Sequence, residues 1–354
     1  MSLRSSVLAS MAALLALPVV AGASGRPLEP PHSGAEALRP FAGPLREGAV
    51  AAAGAPRARA TSAEAQAAPE ERSYRTRSGY NVRVAVSSSY TLDNARVQAF
   101  VDFLDTRLHG SELGRLHVLL ATGPEIAGIC GPEALACYDP RPQKMIVPGD
   151  QTPADQPSLE YVITHEYGHH IARNRSNAPW SADTWGPKHW ATVEHVCSGV
   201  VRHRLFPGDE GDHYYENPGE AWAESYATYH YRSNMWRWTP LLKPGDAAFG
   251  AIRHDVSAPW RRTARLTRTL RFARGHSSVV RLGLRTLLDG ALRIGVGPSR
   301  HQSVITQVVI RHRLAASTLH HGVAGDLCGV RSLQVRVLRR RGYGRVRVSV
   351  TYPG

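Results

Sequence analysis

The 354-residue chain is poor in several kinds of residue, and each shortage excludes a class of protein. Its four cysteines are too few for a small scaffold held together by dense disulfides. Beyond the first 25 residues, no apolar run approaches the roughly 18–20 residues that cross a bilayer, which predicts no membrane span. The 42% of hydrophobic residues is nevertheless enough to bury a real core, so the chain is not disordered throughout.

Lysine is nearly absent, with 3 residues against 40 arginines, and the arginines are unevenly distributed. Residues 251–354 hold 20 arginines and 3 aspartates but neither lysine nor glutamate, which gives them a formal charge of +17. The whole chain carries +14, so the rest carries −3. This break near residue 250 predicts two domains, covering residues 73–248 and 249–354.

The N-terminus has the pattern of a secretory signal peptide over residues 1–23. Arg4 supplies the positive charge, an apolar run follows, and Ala21-Gly22-Ala23 fits the small-residue cleavage rule. We therefore expect a secreted, extracellular protein whose cysteines pair. Residues 24–72 are rich in Ala, Pro, Gly and Arg without a persistent period, which predicts a disordered spacer or pro-segment.

Regular structure is predicted from about Ser73 onward. Residues 80–86 alternate as a strand, 94–108 place apolar residues on one helical face, and 116–120 read as a buried strand. A further strand at Met145–Val147 is a candidate edge for pairing with an extended peptide.

The cysteine spacing favours one local bridge. Cys130 and Cys137 bracket a short loop, which leaves Cys197 and Cys328 to tie the two predicted domains together. Sequence alone leaves the connectivity open.

A metal-binding motif lies in a predicted helix that opens at Pro157-Ser158. His165, Glu166 and His169 form an H-E-x-x-H pattern, whose i, i+4 spacing puts both imidazoles on one helical face. Glu166 lies close by without needing to be a ligand. The alternative is a pair of hydrogen-bonded core histidines, which leaves the neighbouring carboxylate unexplained.

Zinc then needs a third protein ligand, with the fourth position left for water. A histidine six residues after His169 is one solution, but Arg175 stands there. A later helix capped by Asn217 supplies Glu220 and Glu224 at i, i+4. We predict Glu220 as the ligand and Glu224 as the support that hydrogen-bonds a ligand histidine from behind. Alternatively, Glu220 belongs to a capping box with Asn217.

The pattern of His165, Glu166 and His169 followed by Glu220-x-x-Ala-Glu224 resembles the gluzincin group of zinc metallopeptidases. The resemblance covers about Ser73 to Lys243, with a longer interval before the glutamate than the best-known members have. It implies an α+β zincin-like catalytic domain, in which a twisted sheet covers the active-site helix and the glutamate helix lies behind.

The expected chemistry follows from zinc, which polarises a carbonyl and activates water. Glu166 accepts the proton of that water as general base and passes it to the leaving amine. A donor to the developing oxyanion is also needed, and our choice is Tyr215. The other candidates are Tyr214, Tyr226 and His230.

Several further aromatic residues carry no assigned role in this chemistry. His170 and His195 are interpreted as structural or rim residues. The tryptophans near the motifs belong either to the core or to an aromatic wall of the substrate cleft, which sequence does not separate: Trp180, Trp185, Trp190, Trp236 and Trp238.

Residues 249–354 predict an all-β sandwich of six or so short strands, from Leu266–Phe272 to Gly344–Thr351. The stretch from Cys328 to Gly344 resembles the β-sandwich appendages of secreted bacterial proteases. Alternation such as Arg345-Val-Arg-Val places arginines on one face. An anionic cell-surface polymer is the predicted partner, and nucleic acid is not, because interleaved aromatics are missing. The alternative is that arginine usage reflects genome composition.

Two hypotheses of function follow. The first is a secreted zinc endopeptidase that hydrolyses polypeptides. The second is a secreted surface-binding protein with a structural or vestigial zinc site that acts through its basic C-terminal domain.

Overall fold

The computed structural model describes residues 69–152, 156–232, 236–319 and 322–354. The predicted signal peptide (1–23) and residues 24–68 of the predicted spacer lie outside the described residues, and the first strand begins at Glu71. A mixed α/β part comes first and an all-β part follows, as predicted. Within the described ranges, the helices are all too short or too polar to cross a bilayer.

The first part contains a five-stranded sheet with the order β1-β2-β3-β5-β4. The three central strands are parallel, and the two outer strands run antiparallel to their neighbours. The strands are β1 (Glu71–Arg75), β2 (Asn81–Val86), β3 (His117–Ala121), β4 (Cys137–Asp139) and β5 (Lys144–Pro148).

Burial on both faces explains the apolar runs in the central strands. Val118 and Leu120 of β3 belong to the main core, whereas Ala121 belongs to a smaller cluster on the other face. The prediction that Met145–Val147 offers a free edge is wrong, because β4 pairs with β5 over Lys144–Ile146. The outer edge therefore belongs to β4, whose first residue is joined to the end of the helix Gly123–Cys130 by the predicted Cys130–Cys137 disulfide.

Helices cover both faces of this sheet, and two of them carry the residues of the two sequence motifs. The two that bear the motifs, α3 and α7, pack on each other. The helices are α1 (Asn94–Asp105), α2 (Gly123–Cys130), α3 (Leu159–Arg173), α4 (Ala182–Trp185), α5 (Lys188–Val193), α6 (Val196–Val201), α7 (Pro218–Tyr231) and α8 (Asp246–Ser257).

Close approach of α3 and α7 depends on a glycine inside the histidine motif. A Cβ atom at Gly168 would lie 2.9 Å from the Cα of Ala223 and 3.2 Å from its carbonyl oxygen. The indole N–H of Trp222 donates a 2.8 Å hydrogen bond to the carbonyl of Gly168 at the same contact. Glycine at this position thus lets the two motif-bearing helices touch backbone to backbone.

The second part consists of two four-stranded antiparallel sheets, with the orders β10-β9-β12-β7 and β11-β8-β13-β6. They pack face to face, since aliphatic residues of both sheets form one buried cluster. The strands are β6 (Ala264–Phe272), β7 (Val279–Arg285), β8 (Gly290–Gly297), β9 (Ser303–Ile310), β10 (Arg313–Leu319), β11 (Val323–Leu327), β12 (Ser332–Arg341) and β13 (Gly344–Tyr352).

A buried junction connects the two parts. The ammonium group of Lys188, which is 1% exposed, donates to the carbonyl of Ala178 in its own part (2.7 Å) and, across the junction, to the carbonyl of Asp289 (3.0 Å). The predicted Cys197–Cys328 disulfide is formed and joins α6 to the segment after β11. The predicted boundary between residues 248 and 249 lies within α8, whose buried residues belong to the first core.

Candidate metal site

Three side chains from two helices converge at one point. The ligand atoms of His165, His169 and Glu220 all lie within 4.8 Å of one another. The Nε2 atoms of the two histidines are 3.6 Å (His165) and 3.5 Å (His169) from the carboxylate oxygens of Glu220. The predicted ligand triad is therefore brought together by the fold, although Glu220 comes 51 positions after His169 in the sequence.

Helix α3 presents the two histidines as its sequence predicts. The Ser158 side chain accepts a hydrogen bond from the backbone N–H of Tyr161 and caps the helix. One turn apart, the imidazole rings of His165 and His169 have centroids separated by 5.1 Å. Side-chain exposure is 2% for His165, 8% for Glu220 and 15% for His169, so the site opens towards solvent beside His169.

Helix α7 presents the glutamate. Asn217 caps it, because its side-chain oxygen accepts from the backbone N–H of Gly219, and Pro218 is the first helical residue. The carboxylate of Glu220 lies against His165 and His169, as a metal ligand would, rather than serving the capping box that the sequence left as an alternative.

Glu224 occupies the predicted supporting position. Its carboxylate lies 3.0 Å from Nδ1 of His165 and accepts a 2.6 Å hydrogen bond from the hydroxyl of Tyr161. A carboxylate behind the ring holds the proton on Nδ1 and directs the lone pair of Nε2 towards Glu220. Burial and the charge of Glu224 raise the pKa of Tyr161, so its hydroxyl stays protonated and donates.

The charge of Glu220 is set by its surroundings. Burial raises its pKa, but the electrostatic attraction of His169 and His165 outweighs burial and holds the pKa well below its usual value. The hydroxyl of Tyr214 donates a 3.1 Å hydrogen bond to the same carboxylate. Glu220 is therefore an anion facing two imidazoles, the charge state that a cation requires.

An aromatic wall flanks His165. The ring of Trp238 stacks on it with a centroid distance of 5.8 Å, and the rings of Trp236 and Tyr215 pack against Trp238 at 5.8 and 6.4 Å. Tyr215, our predicted catalytic donor, thus lies one ring away from His165 on the 3-10 helix Tyr214–Glu216.

Two of the other candidates for the oxyanion donor have structural roles, as do His170 and one tryptophan. The Tyr226 hydroxyl donates to the carbonyl of Leu108 at 2.6 Å, and Nε2 of His230 accepts from the N–H of the same residue. These bonds commit the hydroxyl of Tyr226 and Nε2 of His230 to the backbone of Leu108 rather than to the triad, which disfavours both residues as oxyanion donors. Nε2 of His170 bonds to a backbone carbonyl, and Trp190 is fully buried in the core.

Glu166 and Tyr161 lie on the same helix as the two histidines. Glu166, the predicted general base, follows His165 on α3 and is 1% exposed. Tyr161 was missed by the sequence analysis, although its position four residues before His165 puts it on the same helical face. This four-residue spacing was the feature of the sequence from which Tyr161 could have been predicted.

The donor set fits a metal ion. Two imidazole nitrogens and one carboxylate oxygen are the ligands of the open, three-protein-ligand kind of site. The two nitrogen-to-oxygen separations of 3.6 and 3.5 Å suit bonds of roughly 2.0–2.2 Å in a tetrahedron. Among the described residues, this is the group of three or more His, Cys, Asp or Glu side chains close enough to hold one ion.

Comparisons with known proteins add little. No protein-family model matches the sequence, and no curated protein matches it. One similar solved structure is PliG, a periplasmic inhibitor of g-type lysozyme from Aeromonas hydrophila, with a TM-score of 0.20 and 10% identity over 25% of this chain and 85% of that chain. Another is the SPBc2 prophage-derived protein YomS, with a TM-score of 0.17 and 16% identity over 25% of this chain and 96% of that chain. At these scores the likeness assigns neither a fold family nor a function.

Proposed function

We propose that this chain is a secreted zinc-dependent endopeptidase of the gluzincin type, with a zincin-like fold. The observation that carries the proposal is the meeting of His165, His169 and Glu220, with Glu166 directly after His165 in the same helix. Two histidines, one carboxylate and an opening to solvent make up a catalytic zinc site, whereas structural sites use four protein ligands.

Each residue of the site then has a role. His165, His169 and Glu220 hold the zinc ion, and Glu224 orients His165 through its Nδ1 atom. When bound, zinc supplies a Lewis acid that activates water near neutral pH. Glu166 accepts the proton of the attacking water and delivers it to the leaving amine. Tyr215 donates to the oxyanion, and Tyr214 stabilises the charged form of Glu220.

A polypeptide substrate is supported by the outer edge of the sheet beside α3. Strand β4 is outermost, and the hydroxyl of its Tyr138 bonds to His170 of α3 at 3.0 Å. An extended peptide can add to this edge by backbone pairing, which orients a scissile bond relative to the histidines. The two disulfides support an extracellular location, because such bonds persist in oxidising compartments.

The experiment is to compare wild type with Glu166→Gln for zinc content and for cleavage of an internally quenched peptide library. Both proteins should hold one zinc ion, and the variant should cleave about 10²–10⁴-fold more slowly. Glu160→Gln, at an exposed position of the same helix, is the matched control and should cleave like wild type.

Two outcomes contradict the proposal. If zinc-loaded wild type cleaves no peptide, the protein is better described by the second hypothesis, a surface-binding protein with a vestigial site. If Glu166→Gln cleaves as fast as wild type, hydrolysis comes from elsewhere or from a contaminant.

A further inference from the structure

One outer surface of the second part carries a dense group of arginines. In β13, Val346, Val348 and Val350 point into the core, so the residues between them face outward. The same alternation in β6 and β8 directs further arginines to this side. We call the surface the arginine face; its five exposed arginines are Arg265, Arg271, Arg293, Arg345 and Arg347.

Strand register brings these charges close together. Arg345 lies directly opposite Arg271, and Arg347 lies two residues further along β13. Strand geometry separates such positions by about 5 Å across the sheet and ~7 Å along it. Like charges placed directly opposite destabilise a sheet. The side chains of four of the five arginines, all but Arg293, make no hydrogen bond or ion pair in the described ranges, so the protein itself does not offset this repulsion.

The residues between the arginines on this face are glycines or carry small hydroxyl side chains. On β6, β8 and β13 the outward residues of this face include no aromatic ring and no large aliphatic side chain. Such a flat, polar surface lacks the apolar anchors of a protein interface and the rings on which bases stack. The interleaved residues are Thr267, Thr269, Ser349, Thr351, Gly295 and Gly297.

The other sheet provides a contrast. Its outward face also has an arginine pair directly opposite, Arg281 and Arg336, with Arg285 nearby. There, however, large aliphatic side chains lie next to the arginine pair on the same face, namely Val279, Ile305 and Leu338. If net charge alone determined binding, the two faces would bind a polyanion equally well. The residues that surround the arginines differ between the two faces and distinguish them.

We infer that the arginine face binds a linear polymer that carries phosphate groups and no stacking bases. Guanidinium groups contact phosphate oxygens in pairs, and tetrahedral phosphate accepts from two arginines and a hydroxyl at once. A polymer is needed because several arginines lie within about 5–7 Å of one another, and only a ligand with repeated charges neutralises them together. This binding site is independent of the candidate metal site and goes beyond the proposed hydrolysis.

The test uses the full chain and inorganic polyphosphate as the probe, at about 100 mM salt, where surface electrostatics are partly screened. The variant Arg271→Ser/Arg345→Ser/Arg347→Ser should lose at least about 10-fold in affinity and show a shallower salt dependence. The matched control, Arg281→Ser/Arg285→Ser/Arg336→Ser, removes the same charge and the same kind of opposed pair. It should lose no more than about 3-fold.

Equal losses in the two triple variants would overturn the inference, because binding would then follow net charge alone. Absence of binding by wild type would overturn it too. Tighter binding of oligothymidine than of polyphosphate, at equal phosphate concentration, would assign the face to single-stranded nucleic acid instead. If a triple variant fails to fold, Arg347→Ser against Arg285→Ser makes the same comparison with single exposed positions.

Discussion

Charged groups are used in opposite ways in the two parts of the molecule. In the first part they are buried and partnered: Glu112 and Arg175, each at most 5% exposed, form a 2.9 Å ion pair, and Lys188 bonds three carbonyls. In the second part, arginines such as Arg271 and Arg345 stand exposed and opposite one another. Buried pairs fix the positions of the elements around the candidate metal site, whereas exposed unpaired charges remain available to a ligand.

This comparison has a physical basis in solvation. A charge removed from water requires a partner, so deleting one member of a buried pair leaves the other uncompensated. A charge at the surface keeps its water and contributes little to stability. Substitutions in the first part should therefore have large effects, and those on the arginine face should have small ones.

The largest effect is expected at Glu220, the proposed ligand. Glu220→Ala removes a carboxylate that faces both histidines and should weaken zinc binding by about 10³-fold or more, whereas Glu224→Ala removes a support and should weaken it by about 10–100-fold. Competition with a chelator measures both affinities. The reverse order of losses would show that Glu224 is the ligand and Glu220 the support.

The next largest effect is expected at the buried ion pair. Glu112→Gln leaves the guanidinium of Arg175 buried without its partner and should lower the free energy of unfolding at pH 7 by about 3 kcal/mol. Burial raises the pKa of Glu112, but Arg175 and the N–H of Gly110 lower it further, to below its usual 4.5. Glu70→Gln, at an exposed position, is the control and should change stability by less than about 0.5 kcal/mol.

The pH dependence of this difference has a definite sign. A carboxyl group whose pKa is lowered by folding stabilises the protein above its unfolded pKa, and that contribution is lost as the pH falls through the folded pKa. The gap between wild type and Glu112→Gln should therefore be constant above pH 4.5 and shrink below it. Denaturant titrations at several pH values measure it; a gap that widens in acid would contradict the ion-pair assignment.

A smaller effect is expected where α3 touches α7. Gly168→Ala forces the two helix backbones apart and should lower the free energy of unfolding by about 1–3 kcal/mol, since overpacked contacts cost that much. Because Glu220 moves with α7, zinc affinity should fall as well. Gly250→Ala is the matched control: it lies in α8 with nothing within 4 Å of the added Cβ, and should stabilise by up to about 1 kcal/mol. Equal effects at the two glycines would contradict the close contact.

The smallest effect is expected on the arginine face. Arg271→Ser removes a charge that opposes Arg345 and should change stability by less than about 0.5 kcal/mol. By contrast, Arg331→Ser removes a 2.6 Å ion pair to the buried Asp289 and should cost about 1 kcal/mol. Thermal unfolding of the two variants compares them directly. A larger loss for Arg271→Ser would mean that the exposed arginines are structural after all.

The sequence predicts the buried strands and helices of this fold better than the strands at the edges of its sheets. The core strands and the helices with the two motifs were found because apolar periodicity reports burial. Four strands were missed, β1, β4, β10 and β11, and all four are outermost in their sheets. An edge strand buries less and is ordered by its neighbour; the exposed stretch Arg313–Leu319, for example, has only a weak apolar alternation.

In the candidate site, some features follow from the local sequence, and others depend on the packing of distant segments. His165 and His169 are one helical turn apart, so their proximity follows from local spacing. That Glu220 meets them, and that Trp238 stacks on His165, depends on how distant segments pack and on Gly168 allowing that approach. The free edge was assigned to the wrong strand for the same reason, because the pairing of β4 with β5 has no local signature.

The most direct test of the central claim is a crystal structure of the zinc-loaded protein with anomalous diffraction at the zinc edge. We predict a single strong peak about 2.0–2.2 Å from Nε2 of His165, Nε2 of His169 and one carboxylate oxygen of Glu220, with a fourth position open to solvent beside His169. A peak bound by four protein side chains, or one located away from these three, would contradict a catalytic zinc site in this protein.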